Sequence, residues 1–196
     1  MARLYKREEL IERSKLNTKS LSLGGYIATD LYKAKAVHQL NENVRTFSKY
    51  KTYDIFLSHS IQNAQIINGL KSDLEERGFS VYVDWIEDAQ LDRSDVTKES
   101  AELIRARISN CKCLIYAVSE LSKQSSWVQW ELGYADGNKD GKVAILPIED
   151  PIMINNDFYK QEYLGLYPYI DKSAFQIWVN GVKFGNNNFC TLKEWL

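Results

Sequence analysis

Short apolar runs alternate with helical stripes through residues 53–148, and this alternation constrains the fold more than any other feature. Residues 53–57 have a strand's length and apolar character. Residues 61–77 read as a helix with Ile66, Leu70 and Leu74 on one stripe, stopped by Gly78. Residues 79–83 read as a second strand, and 84–95 are acidic and irregular. A helix over 96–109 follows, carried by Leu103, Ile104 and Ile108, and then a nearly all-apolar strand over 111–118. The helix after Trp127 ends near Gly137. Residues 143–148 form a fourth strand, 175–179 a fifth and 191–196 a short terminal helix. Strands that alternate with helices imply a parallel sheet covered on both faces. Five of them suggest the flavodoxin-like α/β order 2-1-3-4-5, in which ligands bind beyond the carboxyl ends of the strands.

Those carboxyl ends carry Ser58, His59 and Ser60, then Asp84 and Trp85, then Ser119 and Glu120. Close behind the third strand comes Ser125-Ser126-Trp127-Val128-Gln129-Trp130-Glu131-Leu132-Gly133-Tyr134. Ser126 with Gln129 three residues on has the pattern of a capping box. Val128, Leu132 and Ala135 should face the core. Trp127, Glu131 and Tyr134 should share the neighbouring face, which sets a carboxylate beside aromatic flats at the edge of a buried surface. Trp130 should turn away from the core. Taken alone, this decapeptide reads as an aromatic anchor with an acid near a helix N-terminus. Convergence with the strand ends raises Glu131 to a site candidate.

The first 50 residues are charged and helix-like, with one short helix over 4–11 and a longer one over 26–47 after Gly24-Gly25. A helical extension over 1–50, packed on a main domain over 51–196, is the simplest organisation; a regulatory or oligomerisation arm is the alternative. A net charge of −1 gives no reason to expect nucleic acid or an acidic membrane as partner. No run approaches 18 apolar residues, and the N-terminus lacks an apolar signal core. Three cysteines, an odd number, read as small buried hydrophobes rather than ligands or a disulfide, so a reducing, cytoplasmic location is expected. The sequence contains neither a dinucleotide fingerprint nor a P-loop, and no Cys/His cluster has metal-ligand spacing. No metal and no resident cofactor is expected.

With these elements in place the chain resembles the TIR (Toll/interleukin-1 receptor) domain family. Tyr53-Asp54-Ile55-Phe56-Leu57-Ser58-His59-Ser60 resembles its opening strand motif, and Gly78-Phe79-Ser80-Val81-Tyr82-Val83-Asp84 its second strand. Trp127-x-x-x-Glu131 matches the W-x-x-x-E motif of its NAD-cleaving members. Residues 85–95, with Leu91-Asp92-Arg93-Ser94, are similar to the bacterial version, some examples of which belong to anti-phage systems such as Thoeris. The resemblance covers residues 52–196.

It implies cleavage of the nicotinamide–ribose bond of NAD+, as substrate, to ADP-ribose or a cyclic or conjugated form of it. Glu131 is then the catalytic carboxylate, and Trp127, Ser58, Ser60, Asp84 and Trp85 bind substrate. Ser60 has the alternative role of capping a helix, Asp84 of holding its loop and Trp85 of touching another protomer. Partners implied are NAD+, other TIR protomers in a homo-oligomer or filament, and a downstream effector that senses the product. Unlike some family members the chain has no arginine directly after Ser58-His59-Ser60, which leaves phosphate recognition unassigned, with Arg93 and Lys123 as substitutes. A non-catalytic scaffold for TIR–TIR assembly is the competing function, and the Glu131 carboxylate argues against it. A response-regulator-like module would need acids at the first and third strand ends, but Asp54 lies at the wrong end of its strand.

Overall fold

A computed structural model of the chain describes residues 2–19, 51–59, 64–88, 97–119, 125–149 and 163–196. The elements run β1 (Tyr5–Lys6), α1 (Arg7–Lys19), β2 (Tyr53–Ser58), α2 (Ala64–Glu76), β3 (Val81–Tyr82), α3 (Asp84–Glu87) and α4 (Lys98–Ser109). They continue with β4 (Cys111–Val118), α5 (Ser126–Asn138), β5 (Val143–Glu149), β6 (Tyr169–Lys172), β7 (Ile177–Phe184), β8 (Asn187–Thr191) and α6 (Leu192–Trp195). The second half of the expected extension, residues 26–47, lies outside the described residues.

The fold is α/β as expected, but among the described residues the sheet holds eight strands rather than five. Its order is β3-β2-β4-β5-β6-β7-β8, with β1 beside β5. The first four positions follow the expected order 2-1-3-4. The fifth parallel place belongs to β6, which pairs with β5 through Ile145 and Tyr169. The segment expected to fill it is instead the start of β7, antiparallel to β6. β6 is only four residues long and follows an aromatic stretch, so its period-2 signal is short. The expected helix over 4–11 is also corrected. Tyr5 and Lys6 pair with Ile148 and Glu149 of β5, and the helix starts only at Arg7.

Side chains of β4 alternate between two cores. Cys113, Ile115 and Ala117 join Leu10 of α1 and Ile66, Ile67, Leu70 and Leu74 of α2. Leu114, Tyr116 and Val118 join Ile104 and Ile108 of α4 and Val128, Leu132 and Ala135 of α5. Gly78 ends α2 as the sequence suggests. At φ 90° its N–H donates to the Glu75 carbonyl, while that of Phe79 reaches back to Leu74, the Schellman arrangement.

α1 is seated tightly on α2. An added Cβ on the buried Gly69 would lie 1.9 Å from the Leu10 carbonyl oxygen, so only glycine permits this approach. Below it, the buried Asp73 gathers the Tyr5 hydroxyl at 3.0 Å, Arg77 Nε at 2.9 Å and Arg13 Nη2 at 3.0 Å. Burial pushes the Asp73 carboxyl up, but bonds from Arg77 and Tyr5 and the charge of Lys172 outweigh it and hold the group below its ordinary value.

Candidate active site

The carboxyl ends of β2 and β3 and the first turns of α5 meet at one rim. Ser58 is the last residue of β2 and pairs with Tyr116 of β4. Its hydroxyl donates to Glu131 Oε2 at 2.6 Å, and both residues have zero exposure. Glu131 therefore does not sit at the edge of the buried surface as expected. Val128, Glu131, Leu132 and Ala135 stand at i, i+3, i+4 and i+7, so the carboxylate belongs to the core stripe itself.

Trp127 is half-buried at the margin of the α4/α5 core. Its ring meets Trp130 edge-on, with centroids 5.5 Å apart. Trp130, expected to turn away, also packs against that core and stacks on Tyr134 at 5.9 Å, with the Arg105 guanidinium 5.3 Å from the Trp130 ring. Tyr134 thus goes with Trp130 rather than with Glu131. The capping box is absent: Ser125, not Ser126, occupies the N-cap and makes no side-chain cap bond.

Asp84 opens α3 and is 2% exposed. This short helix stands where an irregular segment was expected. His59, which the sequence places at the carboxyl end of a strand without a role, is 1% exposed and faces Asp84, Nε2 to Oδ1 at 3.7 Å. Its pairing with Asp84, 25 residues on, is what the sequence does not carry. Trp85 lies on α3 by its backbone. Ser60, Arg93 and Lys123 lie outside the described residues. The structure thus brings Ser58, His59, Asp84 and Glu131 to one rim with Trp127 at its margin.

A second buried network anchors α3. Asp88 accepts from Arg107 Nε at 2.8 Å and Nη2 at 2.9 Å and from the Tyr82 hydroxyl at 2.7 Å. Burial and the charges of Asp88 and Asp84 push the Tyr82 hydroxyl well above its ordinary value, so it stays a donor. Next to it, the Tyr53 hydroxyl donates to Glu87 at 2.6 Å. Among the described residues no group of three or more His, Cys, Asp or Glu could hold a metal ion, and no helix is long and apolar enough to cross a membrane.

A parallel-centred sheet whose rim presents a buried W-x-x-x-E carboxylate defines the class. The model of the TIR domain family matches residues 55–177, more than half of the chain, and the chain belongs to that family. A protein of Bacillus cereus (strain MSX-D12) named “Probable 3′ cyclic ADP-D-ribose synthase ThsB′” is 46% identical over 163 residues, covering 80% of this chain and 82% of its own length. One of Cytobacillus dafuensis named “Putative cyclic ADP-D-ribose synthase TIR2” is 30% identical over 86 residues, which cover 43% of this chain and 23% of that protein.

Proposed function

We propose that the chain is an NAD+-consuming enzyme that breaks the nicotinamide–ribose bond and releases a cyclic ADP-ribose signal in bacterial anti-phage immunity, acting in the cytoplasm. The observation that carries this is the Glu131 carboxylate, fixed at the rim by Ser58 at 2.6 Å and one turn from Trp127. In NAD+ the leaving group is a pyridinium. The C1′–N bond breaks with its electron pair remaining on nicotinamide, which departs neutral, so no general acid is required. The ribose left behind has oxocarbenium character, as in glycoside cleavage. An ionised carboxylate stabilises that charge, and the Ser58 hydroxyl orients it. Attack on C1′ by a nucleophile of the same molecule, with loss of one proton, closes a ring; attack by water gives linear ADP-ribose. NAD+ is consumed rather than reduced, so the reaction calls for no redox partner. Trp127 supplies an aromatic flat for the ribose or the nicotinamide ring.

The sequence match to two proteins named as cyclic ADP-ribose synthases supports the cyclic product. A cyclic product is in turn a diffusible message, which an effector protein would read. Glu131 has no solvent exposure in the isolated chain, so substrate contact requires the rim to open. Docking of a second TIR protomer near residues 84–95 is the event proposed to open and complete the site, and contacts of this head-to-tail kind extend into filaments.

The test is incubation of purified protein with NAD+ and identification of the products by mass. Glu131→Gln keeps size and hydrogen bonding but removes charge, and should lower turnover by about two to three orders of magnitude. Wild-type protein that self-associates yet leaves NAD+ intact under all conditions would establish the scaffold reading instead.

A further inference from the structure

The ladder between β2 and β3 ends at Phe56 and Tyr82. Beyond that pair, side chains hold the two segments together at the rim. The imidazole of His59 lies between two oxygens. Its Nδ1 is 2.9 Å from the Leu57 carbonyl, and its Nε2 is 3.7 Å from Asp84 Oδ1. A carbonyl oxygen only accepts, so Nδ1 carries a proton. A neutral ring would then turn the lone pair of Nε2 toward a carboxylate in a buried setting. A second proton on Nε2 replaces that repulsion with an ion pair.

We propose that His59 is a positioning residue for NAD+ cleavage: as an imidazolium tied to the Leu57 carbonyl and the Asp84 carboxylate, it fixes the end of β2 and so sets the Ser58 hydroxyl against Glu131. This rests on the catalytic reading of Glu131 given above. The leverage is short, because Ser58 and His59 share a peptide bond. A bond of 2.6 Å between fully buried partners leaves little room for displacement. A misplacement of about 1 Å at a reacting group costs up to about a hundredfold in rate.

Two measurements test it. The first is steady-state NAD+ cleavage by His59→Gln, Asp84→Asn, Ser58→Ala and the His59→Gln/Ser58→Ala double variant. His59→Gln and Asp84→Asn should each lower kcat about ten- to hundredfold with KM nearly unchanged. In the Ser58→Ala background, His59→Gln should change kcat by less than about twofold, since its route to Glu131 is already cut. Equal losses in both backgrounds would overturn the positioning role. The second is the imidazole-nitrogen NMR spectrum of wild-type protein at pH 7, to which only His38 and His59 contribute. Removing His38 by substitution to glutamine assigns the signals. Both His59 nitrogens should be protonated, and Asp84→Asn should return the ring to the neutral Nδ1–H form. A neutral wild-type ring would overturn the clamp even if His59→Gln fails to fold. An inactive wild-type protein would instead overturn the enzymatic reading, and the spectrum would still decide the clamp.

Discussion

Replacing Gly69 with alanine should unseat α1 from the domain. The ideal Cβ would stand 1.9 Å from the Leu10 carbonyl oxygen and 2.7 Å from its carbon. A comfortable carbon–oxygen contact is about 3.3 Å, so the two helices must part by roughly 1.4 Å. Both sides of the contact are backbone, and no side chain can swing away. Overpacking of this kind costs up to about 3 kcal/mol, while alanine regains about 1 kcal/mol of helix propensity, leaving a net loss of about 2 kcal/mol. For a chain of this size that lowers the melting temperature by about 4–8 °C. Thermal unfolding followed by circular dichroism is the assay. Gly133, exposed on α5 with nothing near an added Cβ, provides the internal control. There the same substitution should raise stability by about 1 kcal/mol. If Gly69→Ala melts with the wild type or above it, the close seat of α1 is not what the glycine serves.

Trp127→Ala should reduce both turnover and stability, whereas Trp127→Phe should restore stability more than activity, because a smaller ring fills the core margin but offers a poorer flat; equal recovery of both would mark the residue as a packing anchor only. The Asp73 carboxyl titrates below its ordinary value, so its contribution to stability is complete above about pH 4, the unfolded value, and is lost as pH falls through the lowered folded one. Acid titration of Asp73→Asn should show a flatter decline than wild type, and identical slopes would remove Asp73 from the account. If assembly completes the site, NAD+ turnover per molecule should rise with protein concentration across a dilution series read beside light scattering, and Leu91→Glu should flatten the rise. Constant specific activity in monomeric protein would refute that coupling.

Elements with long, regular patterns were legible from sequence, and short or locally ambiguous ones were not. The apolar run of β4 and the Ile66, Leu70 and Leu74 stripe appear where expected because burial on a repeating face leaves a repeating signal. Tyr5–Lys6 is two residues long, and its pairing with β5 is a fact of tertiary structure that no local pattern carries. The Ser126–Gln129 capping pattern was present in sequence, yet helix entry at Ser125 moved the serine off the capping position. Glu131 stood out in the sequence through its motif, but its depth was misjudged: it has zero exposure. An acid at i+3 from Val128 reads as polar and is assigned outward, while the helix turns it inward with its apolar neighbours. The Ser58 bond to Glu131 and the His59–Asp84 pair join residues 73 and 25 positions apart, separations beyond the reach of periodicity.

The seat of β1 also dictates an order of events during synthesis. Tyr5 pairs with Ile148, 143 residues further along. At about 5–20 residues per second, the ribosome needs roughly 7–30 s to deliver that partner. α2 and its Asp73 emerge much earlier and can hold Tyr5, Arg13 and Arg77 in the meantime. The edge of β5 and Lys172, whose backbone bonds to Arg3, arrive last. β1 must therefore wait, tethered to a helix, before it can enter the sheet.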